Sequence, residues 1–260
     1  MIDFHTHILP NIDDGSKSVE ETFNLIKEAE KAGFDTIIST SHYMEDYYEV
    51  ENRERKAWID ALNQKLQEQN ININLCLGNE IYITDNIIKL LEEEKAATIN
   101  NTSYVLFEMP LNAKPLNLYD VVFEMLRCKL VPVLAHPERY SFVQKDPELI
   151  YDLIEKGVLM QSNFGSFIGI YGSKAQSIAK DLLLKDMVHF LGTDVHRQNT
   201  VYPKVPEILI ELEKLVGKEK IEELTEINPS LVLNNKKIEI SEPKHFKLSI
   251  KDIIKMNLKK

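Results

Sequence analysis

The 260-residue chain predicts an α/β protein whose parallel strands close into a barrel. Three observations carry that expectation. Short β-rich apolar runs alternate with stretches of helical periodicity, about seven times, with no Gly-, Ser- or Pro-rich linker between them. Neither G-x-G-x-x-G nor G-x-x-x-x-G-K-[ST] occurs, so nothing supports the nucleotide sites that open doubly wound sheets carry. Histidines and carboxylates recur where the strands end, which is where parallel barrels place their chemistry.

The opening IDF is a short strand running into His5 and His7. In SVEETFNLIKEAEKAGF the apolar residues fall at helical spacing, with Ser18 as N-cap, Glu21 three residues on as in a capping box, and Gly33 as the stop. DTIISTSH is the second strand and ends in His42; the amphipathic helix ENRERKAWIDALNQKLQEQN follows. INLCLGNE is the third strand and runs into Glu80. Residues 85–95 read as helix, TSYVLFE as a strand ending in Glu108, and 117–128 as helix. LVPVLAH is a strand ending in His136, 147–156 a helix, LMQSN a strand and 173–186 a helix. VHFLGTD ends in Asp194, with His196 two residues on, and helices at 204–216 and 218–226 complete the pattern.

No apolar run reaches the roughly 18 residues of a membrane span. Asp3, His5 and His7 interrupt any signal-peptide core, so a cytoplasmic location is expected. Cys76 and Cys128 each lie in an apolar run and are expected to be buried thiols. The net charge of −10 argues against a duplex nucleic-acid partner, which needs a basic face. Residues 236–260 hold eight lysines against Glu239, Glu242 and Asp252, a +5 extension that leaves −15 on residues 1–235. The expectation for that extension is a solvated charged end; docking to the body, an acidic partner or a membrane surface are the alternatives.

The strand ends carry the chemistry. His5 and His7, two apart on a strand, point to the same side, and Asp194 and His196 repeat the step. Adding His42, Glu80, Glu108, His136 and Asp14 from the first loop gives five imidazoles and four carboxylates converging on one mouth. As bare charges they would be costly to gather. Divalent cations remove that cost, and this donor mix suits zinc, manganese or iron rather than calcium. Nine ligands are too many for one ion and fit two or three. Spacing alone leaves open whether Asp13 or Asp14 turns inward. His189 lies early in its strand and is read as structural; His245, in the extension, is read as no part of the site.

DFHTHILPNIDDG, STSHY, GNEIY, VLFEMP, VLAHPERY and GTDVH closely resemble the PHP (polymerase and histidinol phosphatase) superfamily. Within it they look like the bacterial metal-dependent protein-tyrosine phosphatases of capsule and exopolysaccharide clusters. The likeness runs from Met1 to about residue 235, including INPSLVLNN. It implies a distorted (β/α)7 TIM-like barrel and three divalent metal ions, manganese first, with iron or zinc as alternatives. Carried over, His5, His7, Glu80 and Asp194 would hold the first metal; Glu80, Glu108 and His136 the second, with Glu80 bridging; and Asp14, His42 and His196 the third. That choice favours Asp14 over Asp13. Arg139 of HPERY matches a substrate-phosphate arginine, and His42 is the residue nearest to a general acid. The family's second arginine usually lies several residues past D-x-H; here Arg197 follows at once, so Arg197 or Lys204 would take that role.

The resemblance also implies a phosphotyrosine-containing partner, the C-terminal tail of a bacterial tyrosine kinase, attacked in line by a hydroxide bridging the metals. Tyr43, Tyr47 and Tyr48 would either receive that tail or be plain loop aromatics. A cysteine phosphatase is excluded, because C-x5-R would need arginine where Tyr82 and Leu134 stand. The alternatives are a small-molecule phosphatase such as a histidinol phosphatase and, from another class, a metal-binding regulator without turnover.

Overall fold

The computed structural model describes residues 1–246. In chain order the strands are β1 (Ile2–Thr6), β2 (Thr36–Ser39), β3 (His42–Tyr43), β4 (Asn74–Leu77), β5 (Glu80–Tyr82), β6 (Tyr104–Glu108), β7 (Val131–Ala135), β8 (Leu159–Asn163) and β9 (Phe190–Gly192). The helices are α1 (Val19–Lys31), α2 (Asn52–Glu68), α3 (Ile87–Glu92), α4 (Leu118–Arg127), α5 (Glu148–Glu155), α6 (Phe164–Phe167), α7 (Ser173–Leu184), α8 (Val205–Val216), α9 (Lys218–Glu222) and α10 (Asn228–Leu233). Every strand pairing is parallel, in the orders β1-β2-β4 and β3-β5-β6-β7-β8-β9, and the sheet is curled.

The expected alternation holds, with local differences that have identifiable causes. The second and third strands each break in two. Across the breaks Gly78 N still donates to the Ser39 carbonyl and Glu80 N to the Thr40 carbonyl (both 2.9 Å). The Asn79 side chain ties the turn down, Nδ2 donating to the Ser41 carbonyl (2.6 Å) and Oδ1 accepting from Ala97 N (2.8 Å). The register nonetheless carries across, Ser39 opposite Leu77 and His42 opposite Glu80. Helix α1 starts as expected, with Glu21 N donating to Ser18 Oγ at 3.1 Å, and Gly33 beyond its end adopts φ +94°.

Two layers fill the inside of the curl. Phe4, Ile38, Leu106, Val133, Leu159 and Phe190 form an apolar plug, with the Phe4 and Phe190 rings stacked at 4.1 Å. Further along three of the strands the same face turns polar: Leu106 leads to Glu108 and Leu159 to Gln161, two residues on, and Phe190 through Gly192 to Asp194, four residues on. The pairing of β1 with β2 slips between Asp3 and Thr6, so Phe4 joins the plug and its neighbour His5 the polar layer. The second core cluster lies between the strands and the helices, with Leu25, Ile26 and Ala29 of α1 among its members.

The segment after β9 ties back to β1. Asp194 N donates to the His5 carbonyl (2.7 Å), His7 N to the Val195 carbonyl (3.1 Å), and Asp3 accepts from Thr193 N and Oγ1 (2.8 and 2.6 Å). This approach requires Gly192: a Cβ there would lie 2.7 Å from His5 Cβ and 2.9 Å from His5 N.

Two expectations are corrected. Cys76 is buried, and burial pushes its thiol up to about 11, but Cys128 is exposed because it caps the solvent-facing end of α4 between Arg127 and Lys129. The basic extension is not simply solvated where it is described. Ile238 is buried, the Lys236 carbonyl accepts from Tyr104 OH (2.7 Å), and Lys244 N donates to the Lys185 carbonyl (2.9 Å). His245 stacks on Tyr151 with centroids 3.6 Å apart and hydrogen-bonds Glu148. Residues 247–260, with the remaining lysines, lie outside the described residues.

Candidate metal centre

His5, His7, Glu80, His136 and Asp194 are buried at the polar layer, with Asp14, His42, Glu108 and His196 towards the open side. Their ligand atoms fall into overlapping groups that could each hold an ion: His5, His7 and Glu80; His42, Glu80 and Glu108; and His7, Asp14, His42 and His196. Glu80 Oε2 is the hub, 3.3 Å from His5 Nε2, 3.4 Å from His7 Nε2 and 3.0 Å from His42 Nδ1. Asp194 Oδ1 lies 3.3 Å from His7 Nε2 and 3.7 Å from His5 Nε2. Asp14 Oδ1 lies 3.2 Å from His196 Nε2 and 3.4 Å from His42 Nε2.

The nine expected residues thus come together, with three shifts in grouping. His7 joins Asp14, His42 and His196, and Asp194 stands beside rather than within the group of His5, His7 and Glu80. His42, not His136, stands with Glu80 and Glu108, its Nδ1 3.1 Å from Glu108 Oε1. His136 reaches the other oxygen of Glu80, Nε2 to Oε1 at 2.8 Å. Both His136 (φ +34°) and Asp194 (φ +53°) hold left-handed backbone conformations just past their strands, which turn their side chains back over the mouth.

Partners behind the histidines fix which nitrogen faces inward. Asp13 is buried and accepts from His7 Nδ1–H (2.7 Å), His42 N (2.9 Å) and Gly15 N (2.8 Å). Gln161 Oε1 accepts from His5 Nδ1–H (2.8 Å), and the Asp194 carbonyl from His196 Nδ1–H (3.0 Å). Each leaves an Nε2 lone pair aimed at the carboxylates, as metal-ligating imidazoles require. Asp13 therefore does turn inward, as the orienter of His7, while Asp14 faces His42 and His196. A Cβ on Gly15 would lie 2.1 Å from the His7 carbonyl oxygen, so the Asp-Asp-Gly turn admits only glycine.

The residues fit bound divalent cations. Glu80 Oε2 is fully buried and accepts no hydrogen bond, yet three imidazole nitrogens surround it. His5 Nε2 and His7 Nε2 sit 3.1 Å apart, which two lone pairs tolerate only with a proton or a cation between them. The electrostatics agree. Burial alone would lower the His5 and His7 pKa values, but Glu80, Asp194 and Asp13 reverse it and raise both. His42 is pushed up to about 10, its carboxylate neighbours Glu80 and Glu108 outweighing burial and the nearby His7. Burial would raise Glu80 and Asp194; the histidines hold both well below the usual carboxylate range.

Arg139 stands at the edge. Its Nη1 lies 2.6 Å from Asp194 Oδ2 and its guanidinium covers the Tyr171 ring at 4.4 Å. Arg197 does not converge with it: exposed, its Nη1 donates to the Gly15 (2.5 Å) and His196 (2.6 Å) carbonyls, pinning the Asp-Asp-Gly turn. Lys204 is exposed at the end of a short helical turn, Tyr202–Lys204. Of the loop tyrosines, Tyr48 stacks on His42 (5.6 Å), Tyr47 is exposed and Tyr43 is buried. His189 is structural: its Nδ1 accepts from Met160 N (3.0 Å), and burial pulls it down to about 3.

Comparison with known proteins matches residues 1–234 to the family described as capsular polysaccharide synthesis, CpsB/CapC. The chain is 33% identical to the tyrosine-protein phosphatase YwqE of Bacillus subtilis over 92% of this chain and 93% of that protein. It is 31% identical to the putative tyrosine-protein phosphatase CapC of Staphylococcus aureus, with the same coverage. A solved structure from work on YwqE of Bacillus subtilis and CpsB of Streptococcus pneumoniae, described as unique metal-dependent tyrosine phosphatases, superposes with TM-score 0.89 at 31% identity, covering 95% of this chain and all of that one. A histidinol phosphate phosphatase of Lactococcus lactis shares the fold at TM-score 0.55 and 15% identity, over 83% of this chain and 93% of that one. With nine-tenths of its length matched and its histidines and carboxylates gathered as described, this chain belongs to the CpsB/CapC family of capsular polysaccharide synthesis proteins.

Proposed function

We propose that this chain is a metal-dependent protein-tyrosine phosphatase that dephosphorylates the C-terminal tail of a bacterial tyrosine kinase during capsule or exopolysaccharide synthesis, in the cytoplasm. The observation that carries this is the convergence of five imidazoles and four carboxylates on one mouth, edged by the Arg139 guanidinium. No helix among the described residues is long and apolar enough to cross a membrane. The reading places the centre on a distorted (β/α)7 barrel formed by residues 1–235, supported by the register kept across both strand breaks and by the bonds between β1 and the segment after β9.

The donor set suits three cations, manganese first with iron or zinc as alternatives, held by the nine residues named above. When bound they supply Lewis acidity, which neutralises phosphoryl charge and acidifies the attacking water. The chain's own residues do the rest. Arg139 keeps N–H groups beyond the one on Asp194, and a planar guanidinium matches two phosphate oxygens at once. Asp194 and Tyr171 hold that fork at the edge of the mouth. Tyr48, stacked on His42, walls the side where an aryl ring would enter. A tyrosine leaving group, with a pKa of about 10, needs little protonation, so no dedicated acid is demanded.

The test is hydrolysis of a phosphotyrosyl peptide by metal-stripped protein, with Mn²⁺, Zn²⁺ or Mg²⁺ restored singly. Turnover that returns with Mn²⁺ supports the reading. Inactivity with every metal, or a large preference for histidinol phosphate, would overturn it.

A further inference from the structure

Strand β8 supplies no candidate ligand, yet two of its residues, Gln161 and Asn163, are fully buried at the polar layer. They connect opposite sides of the centre. His5 Nδ1–H donates to Gln161 Oε1 (2.8 Å), Gln161 Nε2 donates to Asn163 Oδ1 (2.9 Å), and Asn163 Nδ2 donates to Asp194 Oδ2 (2.7 Å). Arg139 Nη1 donates to that same oxygen at 2.6 Å.

The chain of bonds has one allowed direction. A carboxylate only accepts, so Asn163 must present its NH₂ to Asp194. Its oxygen then faces Gln161, which must present its own NH₂ there. The Gln161 oxygen is left facing His5, whose Nδ1 must carry the proton, freeing Nε2 towards Glu80, His7 and Asp194. Asp194 thus acts on His5 along two routes, directly through Oδ1 (3.7 Å) and through two side-chain amides from Oδ2.

We propose that Gln161 and Asn163 are positioning residues that set the His5 tautomer from Asp194 and, through the same oxygen, hold Arg139 beside the metal-facing side of Asp194. The proposal rests on the metal-dependent reading above. Asn163 is itself anchored: its backbone N donates to the buried Glu138 Oε1 (2.9 Å), which also accepts from Ser166 Oγ (2.6 Å). Glu138 is the neighbour of Arg139, so one turn fixes both ends of the amide–arginine clamp.

The test is Mn²⁺ titration calorimetry on metal-stripped wild type, Gln161→Met, Asn163→Leu, the double variant and Gln161→Glu, with thermal unfolding of each metal-free protein. Gln161→Met, of similar volume but without an acceptor for Nδ1–H, is expected to lose about 10- to 100-fold in Mn²⁺ affinity. Gln161→Glu still accepts from Nδ1–H and is expected to lie closer to wild type than Gln161→Met, a rescue that simple packing would not produce. Because the two amides act in series, the double variant is expected to lose about as much as the worse single variant. Losses that multiply, or a Gln161→Met affinity equal to wild type, would overturn the relay while leaving the metal reading intact. Wild-type protein that binds no Mn²⁺, Zn²⁺ or Mg²⁺ would overturn both. If Gln161→Met and Asn163→Leu unfold, the comparison of Gln161→Glu with wild type decides alone: a loss as large as that of a removed ligand, measured on His5→Ala, would refute it.

Discussion

Asp13→Asn is the sharpest perturbation of the centre, because it removes a charge without removing a ligand. Three donors meet at this carboxylate: His7 Nδ1–H and His42 N on Oδ2, and Gly15 N on Oδ1. Asparagine has one acceptor oxygen, so its NH₂ must face a donor in either orientation. Turned to Gly15, it leaves a buried N–H unsatisfied. Turned to His7, it forces the proton onto Nε2, the nitrogen that faces Glu80 and Asp194. The lost charge-assisted bond is worth about 1.5–3 kcal/mol, and the unsatisfied donor costs about 1–3 kcal/mol. At about 1.4 kcal/mol per tenfold, even the smallest of these figures, about 1 kcal/mol, places the Mn²⁺ affinity about fivefold lower. Burial favours a raised Asp13 pKa, but the His7 and His42 sides depress it, so its stabilising contribution is present above its unfolded value of 3.8 and fades as the pH falls below that. The metal-stripped variant should therefore lose less stability on acidification than wild type. Calorimetric titration with Mn²⁺, alongside thermal unfolding from pH 3 to 7, checks both. Affinity within about twofold of wild type would refute the argument that His7 is held by Asp13.

The difference between Asp13 and Asp14 shows where reading a sequence stops. The convergence of His5, His7, His42, Glu80, Glu108, His136, Asp194 and His196 was legible because the C-terminal ends of parallel strands in a curled sheet face one mouth. Two adjacent aspartates in a turn differ only in direction, which the φ/ψ path to Gly15 decides. The amides of β8 carried no signal at all: LMQSN contains no metal-type residue, and Gln161 gains a role only because folding sets it beside residue 5. From the sequence Arg197 is, with Lys204, only a shifted counterpart of the family's second arginine, and the direction of its guanidinium, onto the Gly15 carbonyl, is set by the fold. The broken strands follow the same logic, since the bonds of the Asn79 side chain to Ser41 and Ala97 tie down the turn at the break, which no periodicity records. The one-turn helix Phe164–Phe167 and the helix Asn228–Leu233 were missed for want of length, four and six residues being too few for a 3.6-residue period to stand out.

Arg139→Ala should lower kcat/KM on a phosphotyrosyl peptide by roughly 10- to 100-fold, the worth of a charged phosphate contact, while Mn²⁺ stoichiometry stays at the wild-type value; an unchanged rate would show that the phosphate sits elsewhere. Arg197→Ala should act through the Asp-Asp-Gly turn, weakening metal binding more than substrate KM, whereas Lys204→Ala should leave metal binding alone; the reverse split in calorimetry and steady-state kinetics would return Arg197 to the phosphate. His189 gives a prediction independent of the metal. Burial, helped by Lys220, pulls this imidazole from 6.5 down to about 3, so between those values the unfolded chain binds a proton that the folded core refuses. Stability must then fall as the pH drops below 6.5, by an amount on the order of 5 kcal/mol in total at about 1.4 kcal/mol per pH unit. His189→Asn keeps an acceptor for Met160 N but cannot titrate there, so metal-free variant and wild-type stabilities, measured by urea unfolding, should converge as the pH falls from 6.5 towards 3. Parallel curves across that range would mean that His189 reaches solvent and that the packing under β8 and β9 is looser than the buried ring implies.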